Sequence, residues 1–387
     1  MTEWIDRDAV LELLGVKPQT LYAYVSRKLV TALPDPVDPR RSLYSRSDAT
    51  RLLAKRMRGR RSAQVAEGAI SWGDAVLATS ISTVVGGRLF YRGRDAVVLA
   101  RTATLEEAGA LLWGVAGFPA SAELLTFDRS LPAVEAAMAM LAREACQGDP
   151  VSGRAAISLL EESARIARSV AAALGADLSA GRDIAGGFAH RWRADAAGAD
   201  AIRAALVLMA DHELNASAFA ARVTASTGAS LCAAALSGLA TLLGPAHGAA
   251  TGRVQILIEE ARSKGARRAV RERLGHGESL PGFGQQLYPD IDPRATALLQ
   301  RLTLPPLLGA LAEEAFSATG LRPNIDFATV AIALVHRLPM NAPFVIFAAA
   351  RAVGWLAHAM EQIGTGQLIR PRARYVGPPV EVGKAWP

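Results

Sequence analysis

The 387-residue sequence is poor in cysteine and in aromatic residues. Its two cysteines, Cys146 and Cys232, form no CxxC pair and no pattern typical of secreted domains, so we expect a reducing, cytoplasmic compartment. Aromatic residues make up only 6% of the chain, whereas hydrophobic residues make up 51% and alanine is abundant. This composition predicts a mainly helical, close-packed protein and argues against disorder.

Signals for membrane insertion, metal binding and nucleotide binding are also scarce. The first ten residues, MTEWIDRDAV, lack the basic-then-apolar pattern of a signal peptide. Residues 223–252 carry no charge, a run longer than a bilayer span, but glycine and proline at 244–245 break it. We therefore expect a buried helix there and no membrane contact. Zinc-ligand spacing, a Walker loop and a dinucleotide glycine fingerprint are missing, so we predict neither a metal nor a cofactor.

Positive charge is concentrated at one end of the chain. Residues 1–61 contain thirteen lysines and arginines against seven aspartates and glutamates, which places +6 of the formal +7 there. The remaining residues are nearly neutral, although the sequence pI is about 9.8. The asymmetry predicts a small basic module joined to a neutral globular body.

The basic end has the pattern of two short helices around a turn, followed by a proline-rich segment. In DRDAVLELLGVKPQTLYAYVSRKLV, Asp6 can cap the first helix and Gly15 can end it. Pro18 suits the first turn of a second helix, and Tyr22 is among the residues that this helix can bury. The segment ALPDPVDPRRSLYSRSD predicts a two-stranded wing or an extended loop, after which a third helix can start at Ser47.

These elements together resemble the MerR-type winged helix-turn-helix family over residues 1–62, with residues 63–69 as a linker. The resemblance implies that the second helix enters the DNA major groove while the wing contacts the backbone. Such a module can instead serve protein interaction or dimerisation, and basic runs are often solvated faces. The candidate DNA contacts are Gln19, Thr20, Tyr22, Tyr24, Arg27, Lys28, Arg40, Arg41 and Arg46.

From residue 70 onward, long helical patterns alternate with short glycine and proline breaks, and VVGGRLFYRGR at 84–94 predicts a hairpin. Polar residues stand out in four clusters of this apolar background. A lone histidine is more often structural, and an aspartate before a helix is most often an N-cap, so each cluster alone is a weak signal. The clusters are Asp211, His212 and Glu213 in an apolar helical stretch; His247; the loop with Gln285 and Arg294; and Asp326 before an apolar helix.

The order of these clusters resembles the citrate synthase family. Asp-His-Glu, Gly-Pro-x-His-Gly, Gly-Phe-Gly-x-x-x-Tyr ending in Asp-Pro-Arg, and Asn-x-Asp-Phe follow one another, and RAVGWLAHAMEQ…LIRPRARYVG matches the family's C-terminal signature. The resemblance covers roughly residues 70–387. It implies a mainly α citrate synthase fold, with a large all-helical domain at 70–248 and 338–387 and a small one at 249–337.

By this resemblance the reaction joins acetyl-CoA, or propionyl-CoA, to oxaloacetate and then hydrolyses the thioester. Asp326 is then the base that removes the methyl proton, and His247 hydrogen-bonds the thioester oxygen and stabilises the enol. Acetyl-CoA acts as a co-substrate, and the sequence does not distinguish it from propionyl-CoA.

Oxaloacetate is a dicarboxylate with a ketone, so its site needs arginine forks and a polarising donor. The resemblance assigns His212, Arg294 and Arg351 to oxaloacetate binding. It also implies a homodimer in which Arg370 is donated across the interface. Alternatively, these side chains serve only structural salt bridges and hydrogen bonds.

Gln285 departs from the family pattern, which has a histidine after Gly-Phe-Gly that donates to the oxaloacetate ketone. The nine-residue spacing to Arg294 agrees with the family, so a shift in register does not explain the difference. A glutamine amide can hydrogen-bond a ketone but cannot donate a proton near neutral pH. Loss of a positioned acid costs about 10²–10⁴-fold in rate, so we expect slowed turnover with better preserved binding. His276 lies nine residues upstream, and we expect it to be solvated rather than a substitute acid.

Three functions therefore compete. The first is a condensing enzyme of citrate or 2-methylcitrate synthase type. The second is a ligand-sensing transcription regulator on a catalytically impaired citrate synthase fold, in which closure of the body shifts paired DNA-binding modules. The third is a partner subunit that pairs with an active homologue.

Overall fold

The computed structural model describes residues 4–16, 18–26, 29–35, 38, 41–50, 52, 77–120, 123–151, 153–373 and 375–378. The chain divides into a first unit, Met1–Ala78, and a second unit, Thr79–Pro387. The predicted boundary at residue 62 and the linker at 63–69 lie outside the described residues.

Within its described residues, the first unit contains three helical segments and a three-stranded antiparallel sheet. Helices α1 (Arg7–Leu14) and α2 (Pro18–Ser26) follow strand β1 (Trp4–Ile5). Strands β2 (Ala32–Pro34) and β3 (Ser42–Ser45) pair in antiparallel register, and β1 extends the sheet in the order β1-β3-β2. Residues 46–50 are helical, one residue earlier than the predicted start.

Local cap signals explain where α1 begins and ends. The Asp6 carboxylate accepts the backbone N–H of Ala9 at 2.8 Å, and Gly15 adopts the left-handed conformation with φ of 58°. Val10 and Leu21 are fully buried and join the two helices in a small apolar core. The expectation that Tyr22 is buried is wrong, because its side chain is 54% exposed on the outer face of α2.

The second unit opens with the hairpin that the sequence predicted at 84–94. Strand β4 (Ser82–Val85) pairs with β5 (Arg88–Tyr91) in antiparallel register, and Gly86 and Gly87 supply the positive φ values of the turn. A short strand β6 (Arg94–Asp95) completes this sheet.

Helices form the rest of the second unit, which confirms the mainly helical prediction. A 3₁₀ turn, Ser179–Gly181, precedes the helix that begins at Ile184. In chain order the helices are α3 (Ala96–Leu99), α4 (Leu105–Trp113), α5 (Ala133–Gln147), α6 (Ala156–Ala173), α7 (Ile184–Trp192), α8 (Ala196–Met209), α9 (Ala216–Ser226), α10 (Leu231–Leu242), α11 (Ala250–Lys264), α12 (Ala266–Gly275), α13 (Pro293–Leu299), α14 (Pro306–Thr319), α15 (Ile325–Val335) and α16 (Ala342–Thr365).

Two apolar cores hold these helices. The large core is built around α16 and includes residues from α4 to α10. The small core joins α11, α12, α14 and α15. Helix α15 contributes to both cores, so the segment that carries Asp326 lies where the two cores meet.

The uncharged run at 223–252 is not one buried helix as expected: it covers the end of α9, all of α10 and the start of α11, and several of its residues are exposed. It contains α10, whose side chains pack into the large core. By length and composition, one described helix could cross a membrane, namely α16, and 89% of its apolar window is buried inside the protein. Such burial is typical of the core helix of a globular domain.

Candidate active site

The Asp-His-Glu cluster lies in a turn and not in a helix, contrary to the sequence prediction. Helix α8 ends at Met209, and Glu213 has a φ of 52°, which helical backbone does not allow. The hairpin holds this turn, because the Tyr91 hydroxyl donates to the carbonyl oxygen of Val207 at 2.9 Å. The Glu213 carboxylate accepts the backbone N–H of Val84 at 2.6 Å.

Asp211 is fully buried and is held by two partners. The Ser82 hydroxyl donates to its carboxylate at 2.5 Å, and His358 Nε2 lies 3.3 Å from the other carboxylate oxygen. Burial opposes ionisation, but His358, Arg351 and Ser82 together hold the pKa of Asp211 below its ordinary value. Asp211 is therefore a buried negative charge beside the candidate substrate arginine.

His212 points from this turn toward the Gly-Phe-Gly loop. Its Nε2 atom lies 2.9 Å from the Tyr288 hydroxyl oxygen, and the two rings have centroids 5.5 Å apart. Burial, followed by the positive charges of Arg294 and Arg351, holds the pKa of His212 well below its ordinary value. The imidazole is therefore neutral near pH 7 and carries one ring hydrogen.

His247 lies in the turn between α10 and α11. Its Nε2 atom is 2.9 Å from the Ser217 hydroxyl, and its ring packs edge-on against Phe347. Burial, assisted by Arg351, lowers the pKa of His247 to about 4. Next to it, a side chain at Gly248 would come within 2.7 Å of the Leu242 carbonyl oxygen, so only glycine fits the close approach of this turn to α10.

The loop that carries Gln285 is tied to the segment in front of α15. The Asn324 side-chain amide donates to the carbonyl oxygen of Gly284 at 3.0 Å, and the Gly284 N–H donates to the backbone carbonyl oxygen of Arg322 at 2.9 Å. Gln285 itself is half-buried, and its side-chain oxygen accepts the Leu287 N–H at 3.3 Å. His276 is exposed after α12, as predicted for a solvated residue.

Arg294 is buried at the start of α13 in a two-pronged ion pair. Its Nε and Nη2 atoms donate to the two carboxylate oxygens of Asp292 at 3.0 and 2.8 Å. Asp292 also caps α13 and accepts the backbone N–H of Ile325 at 3.2 Å. Burial opposes the charge of the guanidinium, yet Asp292 and Tyr288 raise the pKa of Arg294 above its ordinary value.

Arg351 is buried in the middle of α16, with its Nε atom donating to the carbonyl oxygen of Met209 at 2.9 Å. Helix α16 comes this close because residue 354 is glycine: a side chain there would lie 2.3 Å from the Ala210 carbonyl oxygen. Burial lowers the pKa of Arg351 to about 10, against the opposing effect of Asp211. The guanidinium nevertheless remains charged at neutral pH.

Asp326 lies in the first turn of α15 and is not its N-cap. Asn324 takes that role, because its side-chain oxygen accepts the N–H groups of Asp326 and Phe327. Burial raises the pKa of Asp326 to about 6, although Arg294 pulls it the other way. A carboxylate in this range is a stronger base than an ordinary aspartate, yet it is still mostly ionised at pH 7.

Five of the seven sequence-predicted site residues form one electrostatic cluster. Arg351 affects the pKa values of His212, His247 and Asp326, and Arg294 affects those of His212 and Asp326. Gln285 lies in the same loop as Tyr288, which contacts His212. Arg370 is exposed beyond the end of α16, and the structure does not bring it to the other six.

The sequence analysis assigned no role to two residues of this site, Asp211 and Tyr288. Both stand inside the quoted motifs, but their contacts come from distant segments, Ser82 and His358 for the first and His212 for the second. Within the described residues, no group of three or more His, Cys, Asp or Glu side chains could hold a metal ion.

The candidate DNA contacts are described in part. Gln19 is exposed, and Thr20 and Tyr24 are half-buried. Arg46 is exposed, and the exposed Arg41 lies 3.5 Å from Asp38. Arg27, Lys28 and Arg40 lie outside the described residues.

The fold and the clustered site define a known class of protein. The family model for the C-terminal domain of citrate synthase matches residues 70–372. The chain belongs to the citrate synthase family.

Individual relatives agree with this placement. The chain is 32% identical to citrate synthase from Haloferax volcanii over 358 residues, which covers 79% of this chain and 94% of that protein. It is 30% identical over 351 residues to 2-methylcitrate synthase from Mycobacterium tuberculosis, covering 79% and 89%. The chain matches other curated relatives over only about half of their length. It is 37% identical to citrate synthase 2 from Bacillus subtilis over a segment that covers 46% of this chain and 51% of that protein.

Solved structures share the fold. Citrate synthase from Thermotoga maritima superposes with a TM-score of 0.65 at 26% identity and covers 80% of this chain and 96% of that one. The Thermoplasma acidophilum enzyme, solved as a ternary complex with carboxymethyl coenzyme A and oxaloacetate, gives a TM-score of 0.64 at 24% identity, covering 81% and 96%.

Proposed function

We propose that the second unit catalyses the condensation of acetyl-CoA or propionyl-CoA with oxaloacetate. The observation that carries the proposal is the combination of a raised-pKa carboxylate, Asp326, with a neutral histidine, His247, beside two buried arginines, Arg294 and Arg351. Relatives named citrate synthase and 2-methylcitrate synthase support both acyl-CoA alternatives.

In this reaction Asp326 takes a proton from the methyl or methylene carbon next to the thioester. The pKa of Asp326, about 6, is closer to neutral pH than that of an ordinary aspartate, which makes Asp326 a more effective general base. The deprotonated carbon next to the thioester then bonds to the keto carbon of oxaloacetate, and the ketone's π electrons move to its oxygen, which takes a proton. Water finally cleaves the thioester, which releases the tricarboxylate and the free thiol of coenzyme A.

His247 would stabilise the enol by donating a ring hydrogen to the thioester oxygen. A neutral imidazole has only one such hydrogen, so its tautomer decides the role. The Ser217 hydroxyl donates to the Asn215 side-chain oxygen at 2.8 Å, so its oxygen accepts from His247 Nε2 at 2.9 Å and the ring hydrogen is on Nε2. The proposed role requires the hydroxyl to turn from Asn215 to Nε2, which places the ring hydrogen on Nδ1. The Asn215 oxygen would then still accept the N–H groups of Ser217 and Ala218.

Arg294, Arg351 and His212 would bind oxaloacetate. Two guanidinium groups match two carboxylates in charge, and a fork geometry suits each carboxylate plane. Arg370 would complete the site from the second subunit of a homodimer, since it lies exposed beyond the end of α16. A dimer with one Arg370→Ala site and one Asp326→Ala site should then retain one working site, whereas mixing would not help if Arg370 acted within its own chain.

The synthase proposal is tested by thiol release from acetyl-CoA and from propionyl-CoA in the presence of oxaloacetate. We expect slow release by the wild type, no release by Asp326→Ala, and a gain of about 10²-fold in Gln285→His, because a positioned acid contributes about that much. Gln286→His is the matched control, since this exposed neighbour places an imidazole outside the pocket. Absence of thiol release from both the wild type and Gln285→His would overturn the proposal.

A second role, favoured by the concentration of charge in residues 1–61, is DNA binding by the first unit, in the manner of a MerR-type winged helix-turn-helix regulator. The exposed Gln19 and Tyr22 on α2 would face the major groove, and the basic residues of the wing would contact phosphates. Cys146 and Cys232 are free thiols, which suits the reducing cytoplasm, where DNA is accessible.

A DNA titration at two salt concentrations tests this role. Binding through phosphates should weaken steeply as salt rises, and the slope should fall by about 1 in Arg41→Ala. Addition of oxaloacetate should shift the affinity if the protein is a ligand sensor. Binding that does not respond to salt would contradict the predicted phosphate contacts.

A further inference from the structure

The loop that lacks the family's histidine holds a buried hydroxyl three residues further on, at Tyr288. The Tyr288 side chain is only 2% exposed, and its backbone N–H donates to the Gln285 carbonyl oxygen at 3.0 Å. The same turn therefore fixes both residues. Because Asn324 and Gly284 tie this loop to the start of α15, the loop that carries Tyr288 is held beside the segment that carries Asp326.

The surroundings of this hydroxyl are those of the candidate oxaloacetate pocket. Its oxygen lies 2.9 Å from His212 Nε2, and the Arg294 guanidinium carbon lies 5.1 Å from the centre of the Tyr288 ring. Both neighbours are assigned to oxaloacetate under the proposed function. Burial raises the pKa of Tyr288 to about 12 against the opposing effect of Arg294, so the phenol keeps its hydrogen at neutral pH.

Gln285 is the weaker of the two possible donors in this loop. Its side-chain oxygen is already engaged by the Leu287 N–H, and the residue is only half-buried. An amide N–H is also far less acidic than a phenol, so it responds less to negative charge that develops on an acceptor.

We propose that Tyr288 donates the hydrogen bond to the ketone oxygen of oxaloacetate that the family's histidine would otherwise supply. The inference rests on the proposed synthase function and adds a catalytic residue to it. His212, with its single hydrogen on Nε2, donates to the Tyr288 oxygen and so turns the phenolic hydrogen toward the pocket. Two donors in series polarise one another, which strengthens the bond to an oxygen that gains charge.

Turnover gives the first test. Tyr288→Phe keeps the ring and removes only the hydroxyl, and we expect kcat to fall by about 10²-fold, as for loss of one oxyanion donor, with a smaller change in the KM for oxaloacetate. Tyr44→Phe, which removes a hydroxyl from a buried tyrosine in the first unit, is the matched control and should leave turnover unchanged. A fall no larger than that of Tyr44→Phe would overturn the inference.

A double-mutant cycle with Gln285→His separates a donor role from a structural one. When the imidazole is restored, the Tyr288 hydroxyl becomes redundant, and Tyr288→Phe should cost less than about tenfold. Equal losses in both backgrounds would mean that Tyr288 acts on folding or on His212 alone, which would also overturn the inference.

The carbonyl stretch of bound [2-¹³C]oxaloacetate provides a readout that does not need acyl-CoA. A donor at the ketone lowers this infrared frequency, so we expect a shift in the wild type and in Tyr44→Phe that is lost in Tyr288→Phe. A shift that survives in Tyr288→Phe rejects Tyr288 as the donor. If thiol release is silent while the shift depends on Tyr288, the synthase function fails and the Tyr288 contact stands.

Discussion

The two buried arginines of the site are held in different ways. Arg294 meets both carboxylate oxygens of Asp292, two residues before it, at the start of α13. Arg351 lies in the middle of α16 and donates to the backbone carbonyl of Met209, and among the described residues it forms no ion pair. Burial disfavours the charge of both residues, but a direct counterion raises the pKa of Arg294, whereas the pKa of Arg351 falls to about 10.

The difference separates a guanidinium that already has a carboxylate partner from one that, among the described residues, has none. The charge of Arg294 is largely neutralised before any substrate arrives, and its partner Asp292 also caps α13 and binds the start of α15. Arg351 has no such direct counterion among the described residues, so we expect it to attract an incoming carboxylate more strongly than Arg294 does. Both arginines lower the pKa of Asp326 against the effect of burial, so the proposed binding of a carboxylate at Arg351 would alter the pKa of the proposed base.

The largest expected effect comes from removing the Asp326 carboxylate, whose pKa both arginines lower. Asp326→Asn should lower kcat by about 10²–10⁴-fold, because an amide cannot accept the proton. The same change should stabilise the fold at pH 7 by about 1–3 kcal/mol, since a pKa raised to about 6 means that folding disfavours the ionised form. Thiol release and thermal unfolding measure the two effects.

The size of that stability change depends on pH. Below the ordinary aspartate pKa of 3.8, Asp326 is protonated in both folded and unfolded states, so the gain of Asp326→Asn should vanish there. Asp290→Asn, in the loop that carries Gln285, alters an exposed carboxylate and should change neither quantity. A variant that loses stability at pH 7 would contradict the burial argument.

The arginine comparison itself is tested by Arg294→Gln against Arg351→Gln. Loss of Arg294 leaves Asp292 buried and unpaired, so we expect a destabilisation of about 3–5 kcal/mol that Asp292→Asn partly reverses. Loss of Arg351 should instead raise the KM for oxaloacetate by about 10–10²-fold, with a smaller effect on unfolding.

Thermal unfolding and KM measurements decide between the two roles. Arg262→Gln, which breaks the exposed pair with Glu259, is the control and should change stability by less than about 1 kcal/mol. If Arg294→Gln affected only KM and Arg351→Gln only stability, the roles assigned to the two arginines would have to be exchanged.

An effect of intermediate size is expected from pH. Because Asp326 must be ionised to act as a base, kcat/KM should fall about tenfold per pH unit below a pKa of about 6. Titration of His247 should not affect the pH–rate profile in this range, since its pKa is about 4 and the imidazole stays neutral. A pH–rate profile whose acid limb begins near 4 would show that Asp326 is not the titrating base.

The smallest expected effect is that of Ser217→Ala. When the hydroxyl turns from Asn215 and donates to His247 Nε2, it holds the ring hydrogen on Nδ1, so its loss should lower kcat by about two- to tenfold while Asp326 keeps its pKa. Ser263→Ala, which removes an exposed hydroxyl from α11, is the control. No change in kcat would indicate that His247 does not need Ser217 to hold its hydrogen on Nδ1.

Much of the local structure could be predicted from short stretches of sequence. Asp6 and Gly15 delimit α1, and the two glycines at 86–87 form the turn of a hairpin, because caps and turns depend on residues within about four positions. The prediction of a helix at Asp211–Glu213 was wrong because it considered only nearby residues, whose apolar side chains favour a helix. Contacts with β4 and Tyr91 hold that segment as a turn instead.

The sequence by itself determined the helical class, the segregation of charge, the family motifs and the departure at Gln285. Only the tertiary structure decided which side chains meet. Ser82 and His358 reach Asp211 from 129 and 147 residues away, and Tyr288 reaches His212 from 76. The pKa values of Asp326, His247 and Arg351 follow from that assembly, because desolvation and neighbouring charge arise only when distant segments pack together.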